Sequence, residues 1–454
     1  MTGNGKNIGR RKFIAGSAAA IAAGSVAAPY VFAANADKPA ILGGTPLRTQ
    51  PFPSWPMFDD EDERLLLDTF RSRDWCRVGN QRVNTFEQRF AALMGVPSAV
   101  ATNSGTCALN TALNVLDIGP GDEVITSPYT FVATAQVIFQ LGALAVFADI
   151  DPDTHMIDPE RIEEKITPRT RAILPVHIGG GACDMDRIIA IGNKHGIPVL
   201  EDACQAWMGE WRGRKLGSLG SLGCFSFQES KNLTSGEGGA VIGSDKSLME
   251  MVASYTNNGR PSGTQTSTLT GYPNSGSNHR MTEFQGAILC GQMRRLEQQT
   301  EHRNRNGRYL DSLLEGIPGI AAAKSYEGQT RHGYHLYMMN FDSREFSGMS
   351  KARFADALGK EGIWHISTGY GMPPLNEQGF IEQKLGSRHY KYVFGQARLD
   401  KWRAENKCPN NEIVCGSTGM WLFQANLLGS RKDMEDIAAA VEKVRRGSAQ
   451  IAKA

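Results

Sequence analysis

From residue 99 to residue 202 the chain alternates short apolar runs with longer amphipathic ones. Runs of three to six apolar residues bounded by turn residues read as buried strands, and runs with apolar positions three and four apart read as helices. The pattern predicts strands at 99–101, 123–126, 145–149, 172–176 and 198–201. It predicts helices at 107–115, 134–141, 158–166 and 184–195 between them. Two helices precede this stretch. One spans 60–71 with Leu65, Leu66 and Phe70 on one face; the other spans 84–94 with Asn84 as its cap and Phe86, Phe90 and Leu93 inward. Leu222 to Phe227 and Ala240 to Ile242 read as two more strands, joined by a polar, glycine-rich turn. Strand and helix in alternation define an α/β fold with a mostly parallel sheet covered by helices on both faces.

Beyond residue 300 the alternation fades. A long helix over 283–304 bridges to a strand at 334–341, a helix at 352–361 and a C-terminal helix at 432–446, which together read as a smaller α+β domain. The expected division is therefore a large domain over 37–300, including an extended, proline-rich arm before residue 57, and a smaller domain over 301–454. The first 36 residues stand apart. Asn7 to Ile14 carries the pair Arg10-Arg11, an alanine- and glycine-rich run follows, and small-residue cleavage sites end at Ala33 and Ala36. This is the layout of a twin-arginine export signal, which implies the Tat machinery as a partner and a periplasmic or exported location. An uncleaved membrane anchor is the alternative, against which the glycines and serines of the run argue.

The 454 residues carry 49 Lys+Arg and 47 Asp+Glu, a net charge of +2, which gives no electrostatic footprint for nucleic acid. The eight cysteines are scattered without metal-ligand spacing, so no metal site is expected. Cys408 and Cys415, close in sequence, read as two free thiols rather than a pair.

Ligands of parallel α/β sheets gather at the carboxyl ends of strands and the amino ends of helices. Ser104-Gly105-Thr106 opens a helix and can hold a phosphate. Phe131 follows a strand and can offer an aromatic face, and Asp202 ends a strand with a carboxylate. Lys231 lies on the irregular turn between two strands, just ahead of Gly236-Glu237-Gly238-Gly239, where burial would favour its neutral, nucleophilic amine. Taken singly, these are two helix caps, a core aromatic and a surface lysine. Together they supply an anion cradle, a stacking face, a carboxylate and an imine-forming amine, the set that pyridoxal 5′-phosphate requires.

The motifs SGTCAL (104–109), PGDEVITSPYTFVATA (120–135), ITPRTRAILPVH (166–177), EDACQA (201–206), FSFQESKNLTSGEGGA (225–240) and GSNHRMTEFQGAIL (276–289) resemble the DegT/DnrJ/EryC1/StrS aminotransferases. The resemblance runs from about residue 42 to about residue 446. It implies the fold-type I architecture, pyridoxal phosphate as cofactor, and amino transfer from glutamate or glutamine to a keto-sugar or keto-cyclitol. By position it implies that Lys231 joins the cofactor covalently and that Asp202 faces the pyridine nitrogen. It places Gln205 near the 3′-oxygen, Phe131 on the ring, and Gly105, Thr106 and Ser226 at the phosphate. Asn278 matches an asparagine that reaches the phosphate of the other subunit, which implies a homodimer with shared sites. Lysine rather than histidine at 231 favours transamination. Cys204, Trp207 and Ser221 depart from the commoner residues at their positions. The segments at 52–56, 74–79, 408–410 and 420–422 look most like the cyclitol and 3-amino-5-hydroxybenzoate synthase branch, so a dehydrating synthase is the alternative enzyme. An exported, non-catalytic binding protein on the same scaffold is the alternative of another class. His177 reads as a hydrogen-bonded structural histidine.

Overall fold

The computed structural model describes residues 37–261 and 270–454; the export-signal expectation for 1–36 falls outside them. Seven strands form the large sheet: β1 (Ser98–Thr102), β2 (Glu123–Thr126), β3 (Leu144–Phe147), β4 (Thr170–Leu174), β5 (Leu200–Asp202), β6 (Leu222–Ser226) and β7 (Gly239–Gly243). Their spatial order is β1-β7-β6-β5-β4-β2-β3, with β4 joined to β5 through the Ile173–Val199 and Val176–Asp202 bridges. Only β7 runs antiparallel to its neighbours. Nearly every residue of these strands is buried, which is why they read as continuous apolar runs rather than alternating ones.

The second core lies around an antiparallel four-stranded sheet, ordered Ile320–Ala322, Leu336–Phe341, Gly419–Phe423, Ile366–Ser367. The helices Lys351–Lys360 and Arg431–Arg446 cover it through Phe354, Leu358, Ile437 and Val441. One helix, Glu283–Leu314, serves both cores: Ala287, Leu289 and Leu296 pack in the first, Leu310 and Leu314 in the second. It starts at a capping box, in which Thr282 N–H donates to the Gln285 side chain at 2.8 Å and the Thr282 hydroxyl accepts from Gln285 N–H.

Four local readings change. The second helix starts at Arg82, not Asn84; its first N–H groups donate to the buried Glu283 carboxylate, Arg82 at 2.6 Å and Val83 at 3.2 Å. A tertiary carboxylate has replaced the local cap, and Asn84 instead accepts a bond from Arg77. On the first helix Leu65 is buried, whereas Phe70 is 58% exposed and stacks on Trp75. The proline-rich arm lies on its own chain's second core: Phe52 is buried there, and Glu361 accepts from Ala40 N–H (2.7 Å), Leu47 N–H (2.9 Å) and Lys443 Nζ (2.9 Å). The helices between 379 and 405 cover the β3 side of the large sheet, although they follow residue 300. Tyr390 donates to Ala143 O at 2.7 Å, Trp402 to Ala145 O at 2.8 Å, and Arg398 pairs with Glu123.

Candidate active site

The ends of β1, β2, β5 and β6 open on one cavity of about 480 Å³. Lys231 reaches it from a loop fastened at several points. Phe227 N–H donates to Gly238 O, Glu229 N–H to Gly236 O and Lys231 N–H to Gln228 O, each at 2.8 Å. Gly236 and Gly238 take φ of +84° and +152°, which only glycine adopts without strain. Asn232 ties the loop to the second domain, donating to Gly333 O at 2.9 Å. Burial pushes the Lys231 ammonium below its ordinary pKa, against the opposing pull of Cys204 and Asp202. The amine is therefore more readily neutral than a free lysine.

Asp202, at the end of β5, is buried at the cavity wall. Its Oδ2 accepts from the Thr134 hydroxyl at 2.8 Å and its Oδ1 from Cys204 N–H at 3.2 Å. These two donors fix the carboxylate's orientation. Gln205 is also clamped: Gly179 N–H donates to its Oε1 at 2.8 Å, and its Nε2 donates to the Tyr370 hydroxyl at 3.2 Å. Phe131 lines the cavity with its ring 58% exposed.

The anion cradle is the start of the 11-residue helix Gly105–Val115. Ser104 caps it, accepting from Cys107 N–H at 3.1 Å, which leaves the first N–H groups directed at the cavity. A Cβ on Gly105 would lie 2.6 Å from the Ser226 Cβ, and one on Gly239 would lie 2.3 Å from Ser104 O. The cradle thus exists only while both positions are glycine. An N-terminal helix cradle, a fixed carboxylate, an exposed aromatic face and a buried amine around one cavity fit pyridoxal phosphate.

The cavity therefore brings together Gly105, Thr106, Phe131, Asp202, Gln205, Ser226 and Lys231. Asn278 is exposed and lies outside that lining. His177 is fully buried away from the cavity, donating from Nε2 to Glu201 at 2.9 Å while its Nδ1 accepts from Cys183 N–H at 3.2 Å. Trp207 is buried in an aromatic cluster with Phe90, Phe225 and Phe227. Cys408 and Cys415 are free thiols, and no metal-binding cluster occurs among the described residues. Nor is any helix among them long and apolar enough to cross a membrane.

Sequence reasoning missed, among others, Gln228, Ser230, His335, Tyr370 and Trp421 of the lining. The last three come from the second domain, more than a hundred residues from Lys231, so no local pattern announces them. His335 is held neutral by burial and by the nearby Lys231 and Arg303 cations.

Residues 57–393 match the DegT/DnrJ/EryC1/StrS aminotransferase family. The L-glutamine:2-deoxy-scyllo-inosose aminotransferase of Streptomyces paromomycinus is 36% identical over 428 residues, covering 90% of this chain and 98% of that enzyme. The 3-amino-5-hydroxybenzoate synthase of Amycolatopsis mediterranei is 36% identical over 289 residues, covering 63% of this chain and 74% of that one. Among solved structures, a 3-amino-5-hydroxybenzoic acid synthase superposes with a TM-score of 0.77 at 30% identity, over 89% of this chain and 100% of the other. DesI with its TDP-sugar product gives 0.74 at 26% identity, over 91% and 97%. The chain belongs to the DegT/DnrJ/EryC1/StrS aminotransferase family. It is an aminotransferase of the fold-type I, pyridoxal-phosphate-dependent class.

Proposed function

We propose that this enzyme takes an amino group from L-glutamine and delivers it to a keto-cyclitol or keto-sugar. The observation that carries the reading is the single cavity onto which Lys231, the oriented Asp202 carboxylate and the Gly105–Thr106 cradle all open. The near full-length similarity to glutamine-dependent cyclitol aminotransferases supports the substrate classes.

Pyridoxal phosphate, when bound, supplies an electron-withdrawing ring that stabilises negative charge beside the transferred nitrogen. The N–H groups of Gly105 and Thr106 and the Ser226 hydroxyl would hold its phosphate at the positive end of the helix. Asp202, kept in place by Thr134 and Cys204 N–H, would accept from the protonated ring nitrogen. Gln205 would donate to the ring oxygen and Phe131 would cover one face. Lys231 Nζ, its pKa lowered by burial, would take the proton from the donor's α-carbon in the first half of the cycle and deliver a proton to the acceptor's carbon in the second. Tyr370, Trp421 and His335, from the second domain, would shield that carbon on one side from bulk water.

An absorbance spectrum of the mature protein tests the reading. A visible cofactor band that L-glutamine removes, and that a keto-cyclitol restores with release of an amine, is the expected result. A band that no amino donor changes would sink it. The synthase similarity favours a second reading, amination with loss of water, which product mass separates from simple amination.

Two further expectations belong to this reading. The enzyme works as a homodimer, since Phe58, Phe70, Trp75 and Val78 leave large apolar side chains exposed. Sedimentation as a single monomeric species at micromolar concentration would overturn it. The Arg10-Arg11 pair directs export, so Arg10→Lys with Arg11→Lys should leave the protein in the cytoplasm; unchanged periplasmic recovery would remove the signal reading.

A further inference from the structure

Arg303, in the middle of the long helix, is fully buried, yet no carboxylate pairs with it among the described residues. Its Nε and Nη2 both donate to one oxygen, Gln424 Oε1, the first at 2.9 Å. Its Nη1 has no acceptor among the described residues, and neither has Gln424 Nε2 on the fully buried amide beside it. A guanidinium and an amide thus present two spare donors in one place. Leaving a buried cation and two buried donors unpaired is unfavourable, and a carboxylate is the kind of acceptor that such donors take.

Arg303 and Gln424 lie outside the lining of the catalytic cavity, and their neighbours lead towards it. The Arg303 guanidinium lies 5.2 Å from the centre of the Trp55 ring, and Trp55 Nε1 donates to Glu229 O at 2.8 Å, two residues before Lys231. On the other side stands His335, which lines the cavity and lies within the field of both Lys231 and Arg303. Phe423, next to Gln424, meets the His335 ring at 6.4 Å. Trp55 is only partly buried and belongs to the arm before the first helix, outside both hydrophobic cores.

We propose that Arg303 and Gln424 bind the α-carboxylate of the amino donor, with Trp55 as the cover that the donor displaces. This rests on the aminotransferase reading, and it names the part of the site that recognises the donor rather than the acceptor. A keto-cyclitol has no carboxylate, so the pair would serve the first half of the cycle alone.

The holoenzyme tests this through the loss of its cofactor band on titration with L-glutamine. Arg303→Gln should raise the half-saturating glutamine concentration at least about tenfold, as loss of a charge-assisted, two-pronged contact does, and leave the half-saturating acceptor concentration unchanged. L-glutaminamide, whose α-carboxylate is an amide, should be discriminated against by the wild type and accepted by the variant about as well as glutamine. Glutarate should raise the melting temperature of wild type but not of Arg303→Gln, and chloride at equal ionic strength should not substitute for it. Arg303→Lys, which keeps the charge without the fork, carries the same comparisons where the glutamine variant does not accumulate folded. An unchanged glutamine dependence overturns the proposal. So does equal use of glutaminamide by the wild type, or stabilisation by chloride as strong as by glutarate. If glutamine leaves the wild-type band intact, the aminotransferase reading fails, and the glutarate comparison still decides the anion site.

Discussion

Lys231→Ala should lose at least about a thousandfold in turnover, because one amine acts as both nucleophile and proton carrier. The loss should fall on the chemical step, so a single-turnover experiment with L-glutamine should show the same deficit as steady state. The fold should not suffer. Lys231 Nζ has no ion pair among the described residues, and its buried charge is unfavourable where it sits, so the melting temperature should hold or rise. The loop keeps its backbone bonds to Gly236 and Gly238 without the side chain. Lys231→Arg should be as inactive, since a guanidinium is not deprotonated in the working pH range. The depressed pKa gives a further sign: with free cofactor, the wild-type amine should react at a lower pH than an ordinary lysine does. Turnover by Lys231→Ala within tenfold of wild type would remove this residue from the centre of the mechanism.

The large sheet and the residues that line one cavity were legible because each is local. A buried parallel strand is an unbroken apolar run, and β2 lies where the pattern puts it, at Glu123–Thr126. Gly105, Asp202 and Lys231 sit where a strand gives way to a turn or helix, and that junction is visible in sequence. What holds those groups was not legible. Thr134, which orients Asp202, is 68 residues away; Tyr370, which meets Gln205, is 165 away. The stretch 379–405 is apolar only at scattered positions such as Tyr390, Leu399 and Trp402, and two of these spend their polar atoms on carbonyls near β3. No periodicity points to a partner about 250 residues earlier. The Asn84 cap failed for the same reason, since Glu283 supplies the acceptor from 201 residues on.

Glu201→Ala should cost about 3–5 kcal/mol of folding stability, a large share of the roughly 5–15 kcal/mol that holds a domain folded. The residue precedes Asp202 on β5, and successive strand side chains point to opposite faces. Asp202 therefore faces the cavity while Glu201 points into the protein. There its carboxylate is fully buried with both oxygens used twice. Oε1 accepts from Leu219 N–H (2.7 Å) and Gly220 N–H (2.6 Å), and Oε2 accepts from Gly217 N–H (2.7 Å) and His177 Nε2 (2.9 Å). Alanine leaves these four buried donors without the carboxylate that accepts from them. That turn leads into β6, which carries Ser226 and then the Lys231 loop, so cofactor affinity should fall along with stability. Glu201→Gln retains one acceptor but sets an NH₂ against backbone N–H groups, so it should lie between alanine and wild type. Urea unfolding of the three proteins measures the order, and a loss below about 1 kcal/mol for alanine would mean that the turn satisfies its donors elsewhere. The contrast with Lys231 is the sharper test. On one side of the site a removed carboxylate should destabilise the fold, and on the other a removed amine should silence the enzyme while leaving its stability intact.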